Sequence, residues 1–115
     1  MTHKELEDYL LKFEDTWLDF PFGETTSVYK VGDAQTGEGK MFALIQQDSK
    51  PLRISLKCDP VLAETLREKY ETVVPGYHLS KKHWNTIICT GQLSNDEIFD
   101  LARLSYDLVA PSARL

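Results

Sequence analysis

Positive charge is what this chain is short of. It carries 13 Lys and Arg against 18 Asp and Glu, a net charge of −5 over 115 residues. A net anion is repelled by phosphate backbones at long range, so overall charge disfavours a general nucleic-acid binder. Cysteine is scarce as well. Cys58 and Cys89 form no Cys-x-x-Cys pair, and reduced thiols in a cytosolic protein are the simple reading. Both lie beside strand-forming apolar residues and read as small core fillers rather than nucleophiles. No apolar run approaches the roughly 20 residues that span a bilayer. The opening Met1-Thr2-His3-Lys4-Glu5-Leu6-Glu7-Asp8 is too acidic and too amphipathic for a signal peptide. The expectation is a cytoplasmic protein with no membrane partner.

Catalytic signatures are missing too. There is no Gly-x-Ser-x-Gly elbow, no His-Glu-x-x-His zinc motif and no Rossmann glycine fingerprint. The glycines of Gly32-Asp33-Ala34-Gln35-Thr36-Gly37-Glu38-Gly39 have no Gly-Lys-Ser/Thr ending, so this is a hairpin loop and not a phosphate-binding loop. His78 and His83, taken with Cys58 or Asp59, fit no recognised ligand spacing. Glu5, Asp8, Glu14, Asp15 and Asp19 read as a solvated acidic face. The sequence therefore predicts no catalytic residue, no metal and no cofactor.

What is present suits one soluble domain over residues 1–115. The hydrophobic fraction of 42% and charged fraction of 27% are those of a globular protein. Thr2 and Glu5 have capping-box spacing, and Leu6, Tyr9, Leu10 and Phe13 follow as one apolar stripe of a first helix. Pro21 and Gly23 then stop any helix, and Trp17, Phe20 and Phe22 are expected to clamp it to a sheet. Thr26 to Val31 and Lys40 to Gln46 read as strands, the second a continuous apolar run suited to a central position. In Leu52 to Lys57, alternation buries Leu52, Ile54 and Leu56 and presents Arg53 and Lys57 on the other face. Asp59-Pro60 starts a second helix, with Val61, Leu62, Leu66 and Tyr70 on its apolar side. Trp84 to Thr90 is the next strand. Ser94 and Glu97 open a last helix through Ile98, Leu101, Ala102, Ser105 and Leu108, stopped by Pro111. The order α-β-β-β-α-β-α implies an α+β fold, an antiparallel sheet packed against helices. The expected core is Leu6, Leu10, Phe42, Leu44, Ile54, Leu56, Leu66, Ile87, Leu101 and Leu108.

One segment stands apart. Residues 75 to 85 read Pro-Gly-Tyr-His-Leu-Ser-Lys-Lys-His-Trp-Asn. Pro75-Gly76 breaks regular structure, and a cationic, aromatic loop on a rigid scaffold suits binding. Charge is also uneven. Residues 1–50 carry 5 Lys+Arg against 10 Asp+Glu, residues 51–93 carry 6 against 4, and residues 94–115 carry 2 against 4. The only net-positive stretch contains this loop. Lys81 and Lys82 suit phosphate contact, Ser80 and Asn85 hydrogen bonding, and Tyr77 or Trp84 base stacking. Set against that, a Trp opening a strand is more often core than platform, which leaves Leu79 and Trp84 as anchors.

Pro75 to Thr86 resembles the MmcQ/YjbR family of small bacterial proteins, whose signature is Pro-x-x-His-Leu-Asn-Lys-x-His-Trp. Phe20-Pro21-Phe22-Gly23, Lys40-Met41-Phe42-Ala43 and Leu56-Lys57-Cys58-Asp59-Pro60 match in the same order. Ser80 stands where the family usually has Asn. The resemblance implies a double-wing α+β fold, similar to the frataxin-like topology, and the DNA-binding label that such families commonly carry. It points to His78, Leu79, Lys81, His83 and Trp84, with Lys57 from the second motif. The expectation is thus a non-enzymatic DNA-binding or regulatory protein. Its contacts would be Arg53, Lys57, His78, Lys81, Lys82, His83 and Asn85. The alternative is a module that binds a protein or a small anionic ligand at the same loop.

Overall fold

The computed structural model describes residues 1–76 and 79–110. Helix α1 (His3–Leu10) begins at Thr2, where the Thr2 hydroxyl accepts from the Glu5 N–H and the Glu5 carboxylate accepts from the Thr2 N–H. The same reciprocal cap, Ser94 with Glu97, starts α3 (Asn95–Val109). Asp59 caps α2 (Pro60–Lys69) through the Val61 and Leu62 N–H groups. All three starts were legible, because each cap satisfies backbone donors that a helix leaves unpaired.

Six strands form one antiparallel sheet: β1 (Thr16–Asp19), β2 (Thr26–Asp33), β3 (Glu38–Gln46), β4 (Arg53–Lys57), β5 (Val73–Pro75) and β6 (Trp84–Ile88). Their order is β1-β2-β3-β4-β6-β5. The fold class is α+β, as expected, but the element order gains two strands. Both are short edge strands. β1 occupies four residues just before Pro21, and β5 runs straight into Pro75-Gly76, so turn signals mask them.

The helices cover one face of the sheet. There Tyr29, Phe42, Ile45, Ile54, Leu56 and Ile87 pack with Leu6 and Leu10 of α1 and with Ile98, Ala102 and Tyr106 of α3. Leu44 is buried too, but on the other face, so it is core without touching the helices. Leu66 and Leu101 are half-buried, and Leu108 is 52% exposed, against the expectation of burial. The reason is rotational. The buried stripe of α3 runs through Ile98, Ala102, Ser105 and Tyr106, which turns Leu101, Leu104 and Leu108 toward α2 instead. Phe20 and Phe22 are 43% and 58% exposed, so they clamp nothing. Phe13, stacked on Tyr106 at 4.6 Å, does that work.

One buried hydroxyl repairs the sheet. The β2–β3 register skips a residue between Tyr29–Ala43 and Lys30–Met41, so Phe42 is the extra residue of a bulge. The β3–β4 ladder ends at Ala43–Leu56. At the next rung the Phe42 carbonyl and the Lys57 N–H do not bond each other. Ser105, fully buried, donates to Phe42 O and accepts from Lys57 N at 2.9 Å. A small hydroxyl on a helix stripe thereby keeps two backbone groups paired.

Candidate functional site

Among the described residues no helix lies over the second face of the sheet. Alternation along β4 sends Arg53, Ser55 and Lys57 there, with Ile54 and Leu56 buried opposite. Register places Ser55 between Leu44 and Thr86, and Ser55 and Thr86 share a hydrogen bond of 2.7 Å between their hydroxyls. One rung on, antiparallel pairing sets Gln46 beside Arg53, and Thr26 pairs with Gln46. The result is a polar lane of Thr26, Gln46, Arg53, Ser55 and Thr86.

This lane floors a groove of about 600 Å³, with Phe22 and Thr25 on one rim and Val74, Pro75 and Leu79 on the other. That volume lies within the range of small-molecule sites. The groove is closed at one end by a small cluster of Val28, Leu44 and Trp84, against which Met41 and Leu79 pack.

The signature loop builds the Leu79 rim. Gly76 N–H donates to Trp84 O at 2.9 Å, and Trp84 N–H donates to Ser80 O at 2.9 Å. A Cβ on Gly76 would sit 2.7 Å from the Cβ of Trp84, so only glycine fits. From the helical side, the Arg67 guanidinium donates to Lys81 O at 2.9 Å and to Asn85 Oδ1 at 2.8 Å. Asn85 Nδ2 donates to Ala63 O at 3.1 Å. The loop is therefore tied to α2 as well as to β6. Of these bonds, the one from Asn85 to Ala63 is buried and is costly to lose.

The predicted site residues divide accordingly. Arg53 lines the groove. Lys81 and Lys82 are exposed on the loop. His83 is half-buried, and its carbonyl accepts from Cys58 N–H at 2.7 Å. Lys57 lies at the far end of β4, paired with Trp84, beside a separate cleft. Asn85 requires correction as a surface contact. It is 3% exposed, faces the helices and has both ends of its amide bonded within the protein. Alternation from Trp84 puts it on the inner face, where an unpaired amide would be costly. His78 and the stacking candidate Tyr77 lie outside the described residues. Arg67 was missed, because a basic residue in the last turn of a helix looks like an ordinary partner for the helix dipole.

Neither cysteine thiol is activated by its surroundings. Burial pushes the Cys58 thiol above its ordinary value, with the Asp59 charge adding to it, and burial does the same at Cys89. Among the described residues no group of three or more His, Cys, Asp and Glu could hold a metal ion. No helix among them is long and apolar enough to cross a membrane. The cleft beside Lys57, between α2, α3 and the sheet, is about 210 Å³ and lined mainly by leucines, including Leu62, Leu66, Leu101 and Leu104.

An antiparallel sheet with helices on one face and a ligand-sized groove on the other defines a class of small α+β protein. Within that class the chain belongs to the YjbR family, whose model matches residues 11–108. It is 38% identical over 69 residues to the uncharacterized protein YjbR of Escherichia coli K12, a match over 60% of this chain. The matched part spans 58% of that relative's length. It is 31% identical over 107 residues to the uncharacterized protein YbdF of Escherichia coli O157:H7, covering 93% of this chain and 83% of the relative. Among solved structures it is similar to Deinococcus radiodurans protein DR2400, a DUF419-domain protein. The TM-score is 0.89 and the identity 36%, over 97% of this chain and 80% of that one. A Pseudomonas syringae protein matches with a TM-score of 0.77 and 30% identity, over 95% and 99% of the two chains.

Proposed function

We propose that this protein is a non-enzymatic binding module whose groove on the open sheet face takes a small anionic ligand. The observation that supports this most is the placing of Arg53. Arg53 lines a concave site together with hydroxyl-bearing residues and an amide, and it has no carboxylate partner among the described residues. Guanidinium is a planar, permanently charged donor suited to carboxylate and phosphate. Gln46 supplies a neutral donor beside it, and so does the Ser55–Thr86 hydroxyl pair, with Thr86 buried. The proposed setting is the cytoplasm, where Cys58 and Cys89 remain free thiols.

DNA binding is the second reading, favoured by one observation. Lys81 and Lys82 are exposed and form no ion pair among the described residues. Affinity through them would fall steeply with salt, as counterion release requires.

Calorimetric titration at low salt separates the two. Inorganic phosphate is expected to bind the wild type and not Arg53→Gln. Duplex and single-stranded DNA are expected to bind weakly or not at all. Salt-sensitive DNA binding that disappears in Lys81→Ala/Lys82→Ala, with no phosphate binding, would replace the groove reading with the DNA reading.

A further inference from the structure

The rim of the groove opposite Leu79 carries an aromatic ring held out in water. The segment from Phe20 to Thr25 is not loosely attached. Phe20 N–H donates to Asp19 Oδ1 at 2.9 Å, Gly23 N–H to Phe20 O at 3.2 Å, Thr26 N–H to Gly23 O at 3.3 Å and Gln47 N–H to Thr25 O at 2.9 Å. Asp19 is itself fixed by Lys30 Nζ at 2.8 Å. Gly23 has φ of +101° with open space where a Cβ would be, so the turn depends on its backbone freedom. A turn so well bonded still leaves Phe22 58% exposed while its side chain lines the groove. The hydrophobic effect favours covering that ring, and nothing in the described chain does.

The position of the ring relative to the cation is the second observation. The Phe22 loop enters β2, and Arg53 lies on β4, with only β3 between them. Two inter-strand spacings, roughly 10 Å, separate the backbones of Thr26, where that loop joins β2, and Arg53. Thr26 and Gln46 fill the interval, and both can hydrogen-bond to a polar linker.

We propose that the ligand is a nucleotide-like anion: a planar ring stacked on Phe22, an acid group on Arg53, and a hydroxylated linker over Thr26 and Gln46. This inference rests on the anion-binding reading of the same groove and adds the chemical class of the ligand.

Three probes and two variants test it by calorimetry, with circular dichroism confirming that each variant is folded. Adenosine 5′-monophosphate is expected to bind about tenfold more tightly than ribose 5-phosphate, the effect of one stacked base. Phe22→Ala should remove that advantage and leave ribose 5-phosphate unchanged. Arg53→Gln should abolish binding of both. Equal binding of the two phosphates, unaffected by Phe22→Ala, overturns the ring contact and leaves the anion reading standing. Adenosine binding as tightly as its monophosphate, indifferent to Arg53→Gln, overturns the anion reading and leaves the ring contact. Failure of all three probes to bind the folded wild type overturns both.

Discussion

The two faces of the sheet are built from the same strands and do different things. On the inner face Tyr29, Phe42, Ile54 and Ile87 are essentially without solvent contact, locked between α1 and α3. On the outer face, among the described residues, Val28, Leu44, Trp84 and Thr86 are buried, while Thr26, Gln46, Arg53 and Ser55 are half-buried or exposed along the groove. A strand's period of two makes this division unavoidable. The fold needs only one face for its core, and that frees the other for a site. The loop after Pro75 joins them. Through Asn85 and Arg67 it is anchored to the inner layer, and through Leu79 and Trp84 it shapes the outer one.

The comparison is broken most severely from inside. Phe42→Ala should lower stability by roughly 3–5 kcal/mol, because it opens a cavity under α3 and removes two edge-on ring contacts. Denaturant unfolding measures it, and a loss under about 1 kcal/mol would show that the inner face is not the core. Ser105→Ala comes next. It leaves the Phe42 carbonyl and the Lys57 N–H buried without their shared partner, at roughly 1–3 kcal/mol. Ser105→Thr, which keeps a hydroxyl on the same Cβ, should recover part of that loss. Equal stability of all three forms would mean that the hydroxyl does not bridge the strands.

Alkali tests the inner face in another way. Burial, with the Glu7 carboxylate accepting from its hydroxyl at 2.5 Å, pushes Tyr29 well above its ordinary value. Burial also raises Tyr9 and Tyr106. In each case folding holds the proton more tightly than the unfolded chain does. The stabilisation is therefore complete below about pH 10, the ordinary tyrosine value, and is lost as pH rises above it. Melting temperature should fall progressively above about pH 10. Tyr29→Phe should be less stable near neutrality yet lose less on the way up. A parallel fall in both proteins would remove Tyr29 as a cause.

The outer face should give the smallest stability effects. Arg53→Gln, Phe22→Ala and Lys81→Ala/Lys82→Ala are each expected to change stability by about 0.5 kcal/mol or less, since surface positions away from special contacts tolerate change. Thermal melts check this. A loss above about 2 kcal/mol from Arg53→Gln would make Arg53 a structural residue rather than a ligand contact.

The inner face was also the legible one. The two capping boxes, the Asp59-Pro60 start and the alternation of Ile54 and Leu56 are local patterns, and local patterns can be read from a chain. Leu108 was misread because a helix stripe can be rotated by one position without losing its period, and only the placing of α2 decides which edge is covered. β1 and β5 were hidden by neighbouring prolines and by their length. The site was half legible. Arg53 follows from alternation along one strand, and Lys81 and Lys82 from their place in a loop. Asn85 looked like part of that loop and turned inward, because its orientation is set by register with Leu56. Arg67 pairs with Asn85 across 18 positions of sequence, a contact with no local signal. The groove is likewise assembled from five strands and two loops, so no stretch of sequence outlines it.

The most direct test of the division between faces is a map of backbone amide shifts by NMR as adenosine 5′-monophosphate is added. The account predicts that the changes concentrate at Phe22, Thr26, Gln46, Arg53, Ser55 and Thr86, and that Ile54, Ile98 and Ala102 are nearly still. Changes centred on Lys81 and Lys82, or on Leu66 and Leu104 in the leucine-lined cleft, would contradict it.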